Sequence, residues 1–147
     1  MKLTCIGRYG PYPKAGEACS CYLLTHEDGH IVIDLGCGAL SKLLLTLRVQ
    51  DIGALVLSHL HADHMSDALA LRYALGAAKR MGWRDKPLPV YLPAFPVAEA
   101  GLVAHEMMDV RYLQDGMKTR ICGTDVRFAL MPHPVQSYAM AFEAGGK

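Results

Sequence analysis

A short apolar run that stops abruptly in a crowd of polar residues constrains the fold of this chain more than any other feature. Residues 54–57 (Ala-Leu-Val-Leu) show no alternation of apolar and polar side chains, and such a run is typical of a strand buried on both faces. Residues 58–64 (Ser-His-Leu-His-Ala-Asp-His) follow without a spacer. The pattern predicts a central strand in a layered domain, with polar side chains crowded at the end of that strand.

Strands and helices are predicted in a mixed order along the rest of the chain. Asp28-Gly29 predicts a hairpin turn between two β-prone runs, and Ser66 or Asp67 is expected to cap a helix that ends near Met81. The predicted strands cover residues 3–7, 20–25, 30–34, 54–57, 88–92, 111–113, 118–122, 125–131 and 137–142, and the predicted helices cover residues 39–48, 67–81 and 97–108. This mixture predicts an α/β or α+β layered domain rather than a helix bundle or a sandwich of strands alone.

Composition excludes several classes of protein. The 147 residues carry 15 Lys and Arg against 14 Asp and Glu, for a net charge of +1, so no strong global field would attract nucleic acid or an anionic membrane. No stretch approaches the roughly 18 consecutive apolar residues of a membrane helix. The five cysteines are odd in number and lack CxxC spacing. These features predict a soluble protein of the reducing cytoplasm, in which 52% hydrophobic residues favour contact with a partner.

The segment that ends the predicted core strand carries the side chains of a metal site. Three imidazoles and one carboxylate fall within six residues, at His59, His61, Asp63 and His64, and zinc accepts both ligand types. His59 and His61 project to the same side of an extended segment, whereas Asp63 and His64 turn with the chain towards a second position. The spacing therefore predicts two adjacent metal ions. The alternative is a solvated His-rich loop or a cluster of core histidines.

These residues also carry a resemblance to a known family. Residues 58–64 resemble the HxHxDH signature of the metallo-β-lactamase superfamily, and residues 32–38 resemble the Asp-containing motif that precedes it. His133, within residues 131–138, resembles the next metal-binding motif. The strand predicted after it, residues 137–143, is similar to that of the ribonuclease Z-like phosphodiesterases. The resemblance covers essentially the whole chain.

The resemblance implies an αββα sandwich that binds up to two zinc ions. His59, His61 and His133 would hold the first ion, and Asp63 and His64 would begin a second site that is incomplete in this chain. Within such a family the chemistry is zinc-dependent hydrolysis by a metal-bound hydroxide, which Asp63 would orient as the catalytic residue.

A phosphodiester, possibly in RNA, is the substrate that the ribonuclease Z-like branch implies. A thioester, a lactone or a β-lactam stays open, because one metal centre can serve several reactions. Residues 7–11 match only part of the ribonuclease Z signature near the amino terminus. Asp34 would steady the metal ligands, or else it caps the Gly-rich turn that follows it. Asp67 is explained by capping its own helix.

The pattern departs from the family near the carboxyl end. The later bridging Asp and the final His of the family have no counterpart after His133, so the chain resembles the first half to two thirds of a family member, apparently truncated after the third metal motif. We therefore expect residues 1–147 to form a single metallo-hydrolase domain that lacks the carboxy-terminal part of the sandwich. Gly145-Gly146 is expected to form a hairpin turn, and strands such as 54–57 and 125–131 are expected to lack full cover.

An alternative function follows from that departure. The chain could be a non-catalytic metal-binding half-domain that needs a partner segment, and either reading favours a homo-oligomer or association with the missing half. The remaining histidines are not expected to bind metal: His26 and His30 flank a hairpin turn, and His105 is predicted to lie in a helix. Cys19 and Cys21 are expected to share a packed apolar face of one strand.

Overall fold

Two β-sheets and one layer of helices make up the fold in the computed structural model, which describes residues 1–145. The strands are β1 (Lys2–Gly7), β2 (Cys21–His26), β3 (Gly29–Ile33), β4 (Ala54–Val56), β5 (Leu88–Leu92), β6 (Met108–Tyr112), β7 (Lys118–Ile121), β8 (Thr124–Met131) and β9 (Ser137–Glu143). The α-helices are α1 (Ala39–Leu43), α2 (Ala62–Met65), α3 (Ala68–Arg80) and α4 (Val97–Val103), and a 3-10 turn spans Val49–Asp51.

Sheet topology brings several strand ends to one edge of the molecule. The first sheet has the order β1-β2-β3-β4-β5-β6, and the second has the order β7-β8-β9. Strands β3, β4, β5 and β6 are parallel neighbours, so their carboxyl ends all point the same way. The mixed α/β class predicted from the sequence is confirmed. Three layers of the expected αββα sandwich lie within residues 1–145.

The first core lies between the helices and one face of the large sheet. All three residues of β4 are fully buried, as the unbroken apolar run predicts. Leu55 packs on the helical side, where α3 contributes Leu71 and Leu75. These contacts bury the apolar stripe of a helix against a sheet, which is the ordinary way in which a layered domain forms.

The second core lies between the two sheets. Val126 and Phe128 of β8 point inward onto Ala54 and Val56 of β4, while Asp125 and the other alternate residues of β8 face solvent. Strand β4 is therefore covered on both faces, and the expectation that residues 54–57 lack cover is wrong. The large apolar side chains of β8 lack full cover only at its far end, where Leu130 and Met131 are about half exposed.

Two predicted helices are shorter than their apolar spacing suggests. The helix expected over residues 39–48 ends at Leu43, because Leu45 points into solvent while the chain closes in turns that bury Leu47. The helix expected over residues 97–108 ends at Val103. Residues 104–107 connect α4 to β6, and the last predicted residue, Met108, is the first residue of β6, which pairs with β5. Pairing with a distant strand outweighs local helical spacing in this segment.

The predicted hairpin and the predicted burial of two cysteines agree with the structure. The hairpin between β2 and β3 forms, with His26 paired with Gly29. Cys19 and Cys21 are both fully buried, although Cys19 lies just before β2. Every helix within residues 1–145 is too short or too polar to cross a membrane. The turn expected at Gly145-Gly146 extends beyond the residues that the structure describes.

Candidate metal centre

The predicted ligands gather where β3 and β4 end. Ile33 of β3 lies opposite Val56 of β4, so the residues that follow each strand emerge side by side. Asp34 is anchored there by its backbone N–H, which donates to the carbonyl of Val56 at 2.8 Å. The loop between β8 and β9 reaches the same edge, because the N–H of Tyr138 donates to the carbonyl of Ser58 at 2.9 Å. Sheet topology thus brings together residues up to 100 positions apart in sequence.

The HxHxDH segment turns a corner, as its spacing predicts. His61 has extended backbone angles and immediately precedes α2, and Asp63 and His64 lie in the first turn of that helix. The N–H of His64 donates to the carbonyl of His61 at 2.9 Å. Two ligands therefore project from extended chain, and two project from a helix.

Three imidazoles converge across these elements. One ring nitrogen from each of His59, His61 and His133 lies within 4.8 Å of the others, and the ring centroids are 4.7–5.1 Å apart. Three imidazoles are a donor set that catalytic zinc sites use. The residues present therefore fit the metal that the sequence predicts.

Asp63 and His64 form a second pair beside these three histidines. The Oδ2 atom of Asp63 lies 3.6 Å from Nε2 of His64, and the ring of His64 lies 3.9 Å from the ring of His59 between centroids. A carboxylate and an imidazole thus face the same space next to the three-histidine set. This geometry agrees with a second metal position that has only two ligands among the described residues.

Asp34 holds His64 in place. Its Oδ2 lies 2.7 Å from Nδ1 of His64, and its Oδ1 accepts hydrogen bonds from the backbone N–H and the hydroxyl of Ser58 at 2.8 and 2.9 Å. The hydroxyl of Ser20 also donates to this carboxylate at 3.3 Å. Asp34 is buried and has a φ of 54°. Because its carboxylate bonds to His64 and Ser58, it steadies the candidate ligands rather than capping the Gly-rich turn. The bond to Nδ1 leaves Nε2 of His64 directed at Asp63.

The pKa values of His59 and His64 are shifted in opposite directions. Burial lowers the pKa of His59 to about 4, with a further lowering by neighbouring His64, so His59 is neutral at pH 7 and has a free lone pair. Burial alone would also lower the pKa of His64, but the hydrogen bond and charge of Asp34, together with Asp63, raise it above its ordinary value. A neutral imidazole is the form that binds a metal.

His133 is presented by a loop that is anchored at a neighbouring residue. Its Nδ1 faces both backbone groups of Val135, with the carbonyl at 3.2 Å and the N–H at 3.3 Å. When Nδ1 carries the proton it donates to the carbonyl, and otherwise it accepts from the N–H; either contact orients the ring. Gln136 ties this loop down on both sides: its Oε1 accepts from the N–H of Phe95 at 3.1 Å, and its Nε2 donates to the hydroxyl of Tyr138 at 2.9 Å. Sequence reasoning identified His133 but missed Gln136. The signal available was its position three residues after a ligand.

Asp67 has a different role from the one predicted. Its side chain makes no capping hydrogen bond to its own helix, α3. Instead, its Oδ2 accepts from the backbone N–H of Leu40 at 2.8 Å, which lies at the start of α1. Asp67 is therefore the N-cap residue of α3, as predicted, but its carboxylate caps the start of α1 instead of its own helix. It joins two helices that are distant in sequence, and the local pattern could not reveal that contact.

Comparison with known proteins places this centre in a family. The family model described as the metallo-beta-lactamase superfamily matches residues 15–136. The chain belongs to this superfamily. The resemblance inferred from the HxHxDH segment is confirmed, and with it a metallo-hydrolase fold of this superfamily.

Individual proteins are similar to this chain in sequence and in structure. The probable metallo-hydrolase YhfI of Bacillus subtilis is 33% identical over 147 residues, which cover 99% of this chain and 60% of YhfI. The crystal structure of YhfI superposes with a TM-score of 0.92 at 29% identity, covering 97% of this chain and 58% of the solved one. The short form of human tRNase Z superposes with a TM-score of 0.71 at 18% identity, covering 100% and 66%.

The chain matches only part of the length of its curated relatives. The chain spans 60% and 52% of the length of the two curated relatives that it matches. The matched part contains all the ligands described above, because the family model runs from residue 15 to residue 136. The likeness to tRNase Z, at 18% identity, shows a shared fold.

Proposed function

We propose that this protein is a zinc-dependent phosphodiesterase with ribonuclease Z-like chemistry. The observation that carries the proposal is the convergence of His59, His61 and His133 within 4.8 Å, with Asp63 and His64 beside them. Imidazole nitrogens and a nearby carboxylate are the donors that catalytic zinc sites use. Zinc held by the three histidines would polarise a phosphoryl oxygen and acidify water.

Asp63 is the residue that would handle the proton of the attacking water. Its side chain is 15% exposed, so water can reach it. The Nε2 atom of His64 lies 3.6 Å from Oδ2, which provides a second polar contact for a water bound between them. Asp34 keeps His64 oriented for this contact through its 2.7 Å bond to Nδ1. Asp63 would then orient the water and accept its proton at Oδ2.

Fold likeness supports the phosphodiester class, and the net charge bears on the size of the substrate. The solved structure of human tRNase Z shares the fold over the whole of this chain, and tRNA processing, as that protein's name implies, involves a phosphodiester. The net charge of +1 provides little long-range attraction for a polyanion. The proposed substrate is therefore a small phosphodiester or the end of an RNA strand, held locally at the centre. Thioester and lactone hydrolysis are the competing reactions on the same fold.

The test is a substrate panel measured on the metal-loaded chain. A chromogenic phosphodiester such as bis(p-nitrophenyl) phosphate should turn over, and a chelator should abolish turnover until zinc is restored. Chromogenic thioester, lactone and β-lactam substrates should turn over much more slowly. Acyl turnover without phosphodiester turnover would overturn the proposed substrate class and leave the hydrolase assignment intact.

A second candidate function is a non-catalytic metal-binding unit that needs a partner segment. The observation that favours it is an apolar groove of about 510 Å³ between the sheets, lined by residues that include Leu24, Ile33, Met140 and Phe142 and reaching Ser58 at the site. Unburied apolar surface of this kind marks an interface. Light scattering at micromolar concentration should then show a dimer or larger species that binds zinc without turnover. A compact monomer with full phosphodiesterase activity would exclude this candidate.

The cysteines support a reducing compartment. All five are free thiols, and Cys19 and Cys21 are buried. Thiols scattered in this way are typical of proteins kept in a reducing environment. A cytoplasmic location is therefore part of the proposal.

A further inference from the structure

The loop that follows β1 approaches the carboxylate of Asp63 at one small residue, Gly10. A Cβ atom built on Gly10 would lie 2.7 Å from Oδ2 of Asp63 and 3.8 Å from its Cγ. Real Cβ atoms essentially never approach another heavy atom that closely. The carboxylate of Asp63 therefore rests against the α-carbon of Gly10 in space that any other residue would fill.

The backbone of this loop is held on the side that leads into Gly10. The N–H groups of Arg8 and Tyr9 both donate to the carbonyl of Ala18, at 3.2 and 3.1 Å, and Tyr9 also pairs with Cys19. Gly10 itself does not have a positive φ, so an alanine could adopt its backbone conformation. The requirement for glycine at this position is thus one of space rather than of backbone angle.

Asp63 depends on this contact because little else holds its carboxylate. Among residues 1–145, no hydrogen bond reaches the carboxylate, and its ion-pair contact with Nε2 of His64 is as long as 3.6 Å. The backbone of Asp63, by contrast, is tightly packed, since a Cβ on Gly36 would lie 1.9 Å from its carbonyl oxygen. A fixed backbone and an unbonded carboxylate leave packing against Gly10 to decide where the side chain points.

We propose that Gly10 is a positioning residue that sets the orientation of the Asp63 carboxylate. The inference rests on the proposed function, in which Asp63 orients water. A methyl group at position 10 would push Oδ2 away from its place beside His64, while the three-histidine set, which Gly10 does not approach within 4 Å, keeps its geometry. The reaction would then lose the orientation of its water and retain its first metal position.

The experiment compares Gly10→Ala with Gly101→Ala, Asp63→Ala and the double variant Gly10→Ala/Asp63→Ala. Gly101 is the matched control, because a Cβ there would meet nothing within 4 Å. Displacing a reacting group by about 1 Å can cost on the order of 100-fold, so kcat of Gly10→Ala should fall by about 10- to 100-fold with KM little changed. Zinc content at the three-histidine set should equal that of Gly101→Ala. In the double variant, Gly10→Ala should cause no further loss beyond that of Asp63→Ala.

Two readouts do not depend on turnover. The crystal structure of Gly10→Ala should show the Asp63 carboxylate rotated and the loop in place. The melting temperature of Gly10→Ala should be lower than that of the parent, and Asp63→Ala should remove this difference because it makes room for the methyl group. This second comparison holds even if Gly10→Ala folds poorly by itself.

The activities of the variants distinguish a failure of the role of Gly10 from a failure of the proposed role of Asp63. An inactive Asp63→Ala together with a fully active Gly10→Ala would overturn the role of Gly10 and leave the proposed function standing. A further loss in the double variant, or a carboxylate unmoved in the crystal, would also overturn it, since Gly10 would then act through another group. An Asp63→Ala variant as active as the parent would overturn the proposed role of Asp63, and the inference about Gly10 with it.

Discussion

Within residues 1–145, two groups of side chains bring three ligand atoms within 4.8 Å of one another, and the two groups lie in very different surroundings. One is the strand-end cluster, which consists of His59, His61 and His133; the other is the turn cluster of His26, Glu27 and Asp28 in the β2–β3 hairpin. Proximity of donor atoms is therefore common to both clusters. What differs is the structure that supports each cluster.

The strand-end cluster is supported by a buried network, and the turn cluster is not. Asp34, whose side chain is 6% exposed, fixes His64 beside the strand-end cluster. It also accepts from the hydroxyl of Ser58, which lies 3.0 Å from Nδ1 of His59 within the cluster. In the turn cluster, Nδ1 of His26 accepts the backbone N–H of Asp28 at 3.3 Å, and the side chain of Asp28 is 59% exposed. The turn cluster is thus explained by closure of its own hairpin. A metal site needs ligands whose orientation is fixed before the metal arrives.

The largest expected effect concerns the ligands themselves. His133→Ala should weaken zinc binding by more than about 100-fold, since even loss of a supporting residue costs about 10- to 100-fold. The measurement is competition against a chromogenic chelator, with His26→Ala as the matched control. Unchanged tight zinc binding in His133→Ala would show that the third ligand has been assigned wrongly.

The next effect separates catalysis from metal binding within the strand-end cluster. Asp63→Ala should reduce phosphodiester turnover by about 100-fold or more, within the range that general acid–base groups contribute, and should largely spare zinc at the three histidines. Steady-state kinetics and metal analysis on the same preparation test both parts. A turnover rate equal to that of the parent would remove Asp63 from the mechanism.

A smaller effect should follow from loosening the supporting network. Asp34→Asn keeps a residue that tolerates the φ of 54° but removes the negative charge that faces His64. Zinc affinity should fall by about 10- to 100-fold. Asp28→Asn makes the same chemical change in the turn cluster and should leave zinc affinity as it is. Equal effects of the two variants would erase the distinction between the two clusters.

The smallest expected effect concerns how fast the thiols of Cys122 and Cys21 are alkylated. Burial, with smaller contributions from Asp34 and Asp67, raises the pKa of Cys21 to about 12. Burial and then Asp28 also raise the pKa of Cys122, which Arg84 partly offsets. Because only the thiolate is alkylated, Asp28→Asn should lower the pKa of Cys122 and speed its reaction with iodoacetamide at pH 8 by a few-fold at most. Peptide mass spectrometry should find Cys21 unmodified in both proteins.

Sequence alone determined the features that arise from neighbouring residues. The apolar run over residues 54–57 specified a strand buried on both faces, and Asp28-Gly29 specified a hairpin turn. The pattern at His59, His61, Asp63 and His64 specified candidate ligands on both sides of a corner in the chain. These features can be predicted from the sequence because strand burial, turn geometry and ligand spacing each depend on residues a few positions apart.

Only the tertiary structure decided the features that join distant residues. The helix begun at Val97 stops at Val103 because β6 pairs with β5, and the carboxylate of Asp67 serves Leu40 rather than its own helix. The bonds of Asp34 to Ser58 and His64, and the approach of Gly10 to Asp63, likewise cross between elements. Such contacts depend on how layers pack, and packing is set by the summed burial of many side chains. No local pattern in the sequence records which distant atoms that packing brings together.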